Sequence, residues 1–93
     1  MTVMIGQAVR KLLRKFAIEK PVQQHEILFQ WKAIVGETIA QHTQPEDIKF
    51  DKLYIRVDSP VWRNELIFQK GQLLEKINQR LSKNAQIKEI VLR

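Results

Sequence analysis

The sequence predicts a small α+β domain of two layers, with helices on one face of a three-stranded sheet, in the order helix, helix, strand, strand, helix, strand. Three observations carry this. Apolar residues recur at helical spacing in three stretches, before Pro21, between Val22 and Gln41, and after Pro60. Leu53, Ile55 and Val57 alternate with Tyr54, Arg56 and Asp58, the pattern of a half-buried strand. A final apolar run, Ile87 to Leu92, follows the third helix, so the second strand, that helix and the last strand form a βαβ unit with parallel strands and a right-handed crossover. Ninety-three residues make a single domain, 1–93, because so short a chain cannot bury two cores.

The first helix is expected from Val3 to Ile18. Ile5, Ala8, Val9, Leu12, Leu13 and Phe16 share one arc and point to a core, while Arg10, Lys11, Arg14 and Lys15 fill the other arc. Lys20-Pro21 ends it, since the residue before proline is pushed out of the helical region. The second helix runs from Val22 to about Gln41, with a main stripe of Ile27, Leu28, Trp31, Ile34, Val35, Thr38 and Ile39 that stays in register through Gly36. Phe29, Ala33, Gly36 and Ala40 form a second row, so this helix reads as sandwiched between helix 1 on one side and the sheet or helix 3 on the other, with Gly36 allowing close approach.

Ile48 to Phe50 and Leu53 to Ser59 then make a hairpin around Asp51-Lys52. A two-residue turn wants positive φ at both central positions, and Lys52 suits that poorly, so a strained or longer turn is expected. Asp58-Ser59-Pro60 marks the start of helix 3 by a polar cap and a proline in the first turn. Trp62, Leu66, Ile67, Leu73, Leu74, Ile77 and Leu81 form its buried arc, Arg63 and Lys70 fall inside that arc by angle, and Asn84 is the expected C-cap.

Composition narrows the function classes. Apolar residues at 44% and charged residues at 28% are ordinary globular values. There is no cysteine for a disulfide or a thiolate metal site, and no apolar run approaches the ~20 residues of a membrane span. A soluble, cytoplasmic protein is expected. The basic amphipathic start could mimic a transit peptide or an interfacial helix, but Pro21 and the next helix follow at once, as in a folded pair. Net charge is +6, with +4 in residues 1–20, −2 in 21–60 and +4 in 61–93. Basic ends that fold near one another would make a patch; otherwise the charge is a general background.

Catalysis is not expected. The two histidines, His25 and His42, are not spaced as metal ligands, and Ser59 reads as a cap because no nucleophile elbow surrounds it. Glu46, Asp47 and Asp51 bracket the hairpin without a basic partner that the pattern supplies, and read as a solvated edge. No phosphate loop or dinucleotide fingerprint occurs. No cofactor and no metal are expected.

The stretch Trp31-x-x-Ile34-Val35-Gly36-Glu37-x-Ile39-Ala40-x-His42-Thr43-x-Pro45, followed by Leu53-x-Ile55-x-Val57-x-Ser59-x-x-Trp62-x-x-Glu65-Leu66 and by Lys76-Ile77-Asn78, resembles the DciA-like bacterial family from about Leu28 to Leu92. The resemblance implies a KH-like domain and a role as an operator or loader of the replicative helicase, with helicase and DNA, single-stranded or junction, as partners. Two departures stand out. KH domains clamp nucleic acid with a Gly-x-x-Gly loop, and glycines at 6, 36 and 71 provide none. Family members also commonly carry a flexible basic tail, and this chain ends at Arg93.

The residues themselves leave two readings. In one, Arg10, Lys11, Arg14 and Lys15 of helix 1, with Lys76, Arg80 and Lys83 of helix 3, contact phosphates weakly and without sequence preference. In the other, the domain is a protein-interaction adaptor or structural module that binds no nucleic acid, and its basic residues keep it soluble or match an acidic partner. Trp62, at the start of helix 3, is a candidate partner anchor, and Arg63 and Lys70 are candidates for its rim, the alternative for both cations being stems that reach water.

Overall fold

The computed structural model describes residues 7–12, 17 and 19–93. Residues 7–12 are helical (α1). They are followed by α2 (Lys20–Phe29), α3 (Trp31–Val35), α4 (Glu37–His42), β1 (Thr43–Lys49), β2 (Lys52–Val57), α5 (Pro60–Asn78), a 3-10 turn (Lys83–Ala85) and β3 (Glu89–Leu92). The domain is α+β, and its element order follows the sequence reading, with the second helix divided.

β2 is the centre of the sheet, antiparallel to β1 and parallel to β3. Leu53, Ile55 and Val57 turn to the helices and are buried, together with Ile90 of β3, Leu66, Leu73 and Ile77 of α5, and Ile27, Trp31, Ile34 and Val35 of α2 and α3. Tyr54 and Arg56 point to the other face, as their alternate positions require.

The second helix is broken twice. At Gln30 the backbone leaves helical values (φ −101°, ψ 16°), and at Gly36 it turns to φ 91°, ψ 162°, a conformation essentially reserved for glycine. A Cβ on Gly36 would meet nothing within 4 Å, so this glycine serves the backbone angle and not the close approach that the small-residue row suggested. Nor is the helix sandwiched. Phe29, Ala33 and Gly36 are exposed, and of that row only Ala40 packs against the core.

α1 differs in the same way. Ala8, Val9 and Leu12, expected to face the core, are exposed along with Arg10 and Lys11. Ile5, Leu13, Phe16, Arg14 and Lys15 lie outside the described residues.

β1 begins at Thr43, earlier than expected, and Lys49 pairs with Lys52, so the two-residue turn is Phe50-Asp51. Both have positive φ, 51° and 63°, the form that twists with the strands. The register shifts between Pro45 and Asp47, leaving Glu46 as the extra residue of a β-bulge.

Ser59 caps α5, its Oγ accepting from the Trp62 N–H at 3.2 Å. The helix stops at Asn78, short of the expected Asn84. The Asn78 side chain explains this: Nδ2 donates to the Ile87 carbonyl and Oδ1 accepts from the Ile87 N–H, both at 2.8 Å, so one amide imitates a strand partner and draws the chain toward β3.

Candidate functional site

Two surfaces gather the residues that the sequence names as candidates, and both involve α5 or the turn after it. The first lies at its N-terminal end. Trp62 is half-buried, with its ring stacked on His42 at 4.6 Å between centroids and 16° between planes. His42 Nδ1 lies 3.1 Å and 3.3 Å from the Asp58 carboxylate oxygens, and the Asp58 N–H donates to the His42 carbonyl at 3.0 Å. The end of α4, the end of β2 and the start of α5 thus converge on one aromatic pair. Arg63 is half-buried, and its Nε is enclosed without a hydrogen-bond partner among the described residues. Lys70, two turns along, is half-buried as well. Both cations occupy the margin of the core, as their angles indicated.

Trp31 differs from Trp62. It is buried, and its Nε1 donates to Thr43 Oγ1 at 2.9 Å, while that hydroxyl donates to the Ile39 carbonyl at 2.7 Å.

The outward face of α5 carries residues that the sequence reading passed over. Val61 is 76% exposed and Phe68 86%. They are seven residues apart, two helical turns, so they project from the same side, roughly opposite Leu66, Leu73 and Ile77. Ile67, assigned to the buried arc, is half exposed. Plotting every apolar residue by angle, instead of only those fitting the stripe, would have singled out Val61 and Phe68.

The second surface is basic. Lys76 is exposed on α5, but Arg80 and Lys83 lie beyond the helix, in the turn after it and in the 3-10 segment, because α5 ends at Asn78. Arg80 Nη1 donates to Gln30 Oε1 at 3.2 Å, across to the end of α2. Among the described residues, no hydrogen bond or ion pair joins these three to Arg10 and Lys11.

The acidic residues around the hairpin are not a solvated edge throughout. Glu46, turned out by the bulge, has Oε2 2.7 Å from Arg56 Nη2 and Oε1 3.7 Å from Arg93 Nη1, while the Arg93 guanidinium lies 4.4 Å from the Tyr54 ring centre. Asp51 accepts from Lys20 Nζ at 2.8 Å and from Gln24 Nε2 at 3.1 Å, and Lys88 Nζ is 3.9 Å away. The Lys20 hydrogen bond holds the Asp51 carboxyl below its ordinary 3.8, reinforced by Gln24 and by the charges of Lys20 and Lys88, against burial, which raises it. Only Asp47 keeps the predicted character, in an exposed 3.5 Å pair with Lys49.

Among the described residues no group of three His, Cys, Asp or Glu side chains could hold a metal ion, and no helix is long and apolar enough to cross a membrane. A family model described as "Dna[CI] antecedent, DciA" matches residues 4–92, nearly the whole chain. The chain belongs to the DciA family. The DciA domain is 34% identical over 73 residues to a "UPF0232 protein" of Mycobacterium bovis (strain BCG / Tokyo 172), covering 78% of this chain and 39% of that one. It is 31% identical over 80 residues to a "UPF0232 protein" of Corynebacterium glutamicum (strain R), covering 86% and 45%, and 30% identical over 79 residues to one of Streptomyces avermitilis, covering 83% and 44%. The DciA domain thus spans less than half the length of these curated relatives. By its name, the family is a replication-related one.

Proposed function

We propose that this DciA domain is a non-catalytic replication accessory module that engages the bacterial replicative helicase and binds DNA weakly and without sequence preference. The observation that carries the first part is the pair Val61 and Phe68, large apolar side chains on the solvent side of a well-capped helix. Isolated surface apolar residues are ordinary, but two in line on one rigid face, flanked by Glu65, are suited to docking against protein. Trp62, with Arg63 and Lys70, supplies a second candidate partner anchor and rim across the helix, at the margin of the core. DNA binding is supported by the exposed cations Arg10, Lys11, Lys76, Arg80 and Lys83, with Arg14 and Lys15 completing the set named from the sequence.

The test has two arms. Capture of the replicative helicase of the same organism should fall in Val61→Gln/Phe68→Gln and in Trp62→Ala, with the first variant melting like the wild type. Four to six phosphate contacts predict that log affinity for DNA falls with log salt at a slope of roughly −3 to −5, flattened by Lys76→Gln/Arg80→Gln/Lys83→Gln. Helicase capture without any salt-sensitive DNA binding would leave the adaptor reading, which the apolar face of α5 favours by itself.

A further inference from the structure

Phe50, at the tip of the β1–β2 hairpin, is 96% exposed, the most exposed large apolar side chain among the described residues. Its φ of 51° is one that residues with a Cβ adopt at a cost, and the turn it occupies favours Asn, Asp or Gly. The ring buries almost nothing, so folding gains neither contact nor favourable backbone from a phenylalanine here.

The support beneath the ring is firm. Asp51, the other turn residue, is tied by its carboxylate to Lys20 and Gln24 of α2, and its carbonyl accepts from the Lys88 N–H at 2.8 Å. Gln24 is itself buried, and its Nε2 also donates to the Ala85 carbonyl at 3.0 Å. Three parts of the chain brace the tip while Phe50 projects beyond them.

The surroundings decide the kind of ligand. Lys49 and Lys52 form the last ladder pair below the turn, and Lys88 is anchored to Asp51 through its backbone. The acidic partners of these ammonium groups lie at 3.5 Å, 3.5 Å and 3.9 Å, on side chains that for the lysines are 63%, 48% and 81% exposed. Such pairs are weak, and a phosphate can replace the carboxylate. A fully exposed ring on a turn flanked by lysines held only in such loose pairs matches the stacking-plus-phosphate chemistry of single-strand binding.

We infer that the hairpin tip is a single-stranded nucleic-acid contact, in which Phe50 stacks on an unpaired base while Lys49, Lys52 and Lys88 meet the flanking phosphates. It rests on the DNA-binding reading and adds to it a site on another part of the molecule. Anisotropy titrations of a fluorescein-labelled oligo-dT and of an abasic strand of equal length test it. Phe50→Asn, which suits the left-handed turn, should bind oligo-dT about tenfold more weakly, the loss of one base–aromatic stack. The abasic strand should bind wild type and variant alike, and Phe50→Trp should restore oligo-dT binding. The variant should melt no lower than the wild type. Equal oligo-dT affinity of Phe50→Asn and a wild type that does bind would overturn the stack and leave DNA binding to the helix cations. No binding by the wild type even at low salt would overturn both. Loss of helicase capture in Phe50→Asn with oligo-dT binding unchanged would move Phe50 to a protein interface and overturn the proposal.

Discussion

Trp31 is held at its polar edge by Thr43 and over its faces by the core, so its removal opens a cavity and takes away the hydrogen bond that the Thr43 hydroxyl accepts, leaving the one it donates to Ile39. Trp31→Ala should cost ~3 to 5 kcal/mol, read from urea midpoints, a large share of the stability of a domain this size. The second prediction at this scale concerns Asp51. Its folded pKa is depressed, so the charged form is favoured in the folded state; the stabilisation is present above the ordinary 3.8 and disappears as pH falls through the lower folded value. Denaturation midpoints should therefore fall with acidification into this window, and Asp51→Asn, which keeps a side chain at ease with positive φ, should lose less over the same interval. Both roles differ in how visible they are in the sequence. Trp31 lies on a helical apolar stripe, which local periodicity reveals. Asp51 owes its role first to Lys20 and then to Gln24, 27 residues away, and no local pattern names such partners.

At the scale of elements, Gly36 and Asn78 fix where helices stop. Gly36→Ala should destabilise by ~1 to 3 kcal/mol, because φ 91° with ψ 162° is strained for any side chain even though the space is open. A loss near zero would mean that α3 and α4 re-form as one helix. Asn78→Leu removes both hydrogen bonds to Ile87 and leaves two partly buried backbone groups unpaired, so ~2 kcal/mol or more should be lost in thermal or urea melts. The Ser59-Pro60 start of α5 and the inward alternation of β2 were legible because cap chemistry and the two-residue period act over a few residues. The breaks in the second helix were not, since Gly36 fits the apolar period in sequence and departs from it only in φ. The hairpin was read one residue late for a related reason: a phenylalanine in a left-handed turn runs against local preference, and the fastening of Asp51 by α2 and by Lys88 outweighs it.

Over the whole molecule, the separation of surfaces makes a prediction of its own. Docking through Val61 and Phe68 should be nearly insensitive to salt, and phosphate contacts through Lys76, Arg80 and Lys83 steeply sensitive, so raising ionic strength should remove DNA while retaining helicase on one sample. Sequence periodicity placed the core but not these surfaces, because residues excluded from a stripe leave no periodic trace of whether they meet water or a partner. The parallel pairing of β3 with β2 has a further consequence, in the order of synthesis. Ile90 completes the core and Arg93 exchanges backbone hydrogen bonds with Ile55 and Val57. Until those last residues leave the ribosome, β2 has one open edge and α5 can pack only against an unfinished sheet. The nascent domain therefore cannot close before its final strand emerges, and during that interval the unpaired backbone of β2 is a surface that chaperones, or a neighbouring nascent chain, can reach.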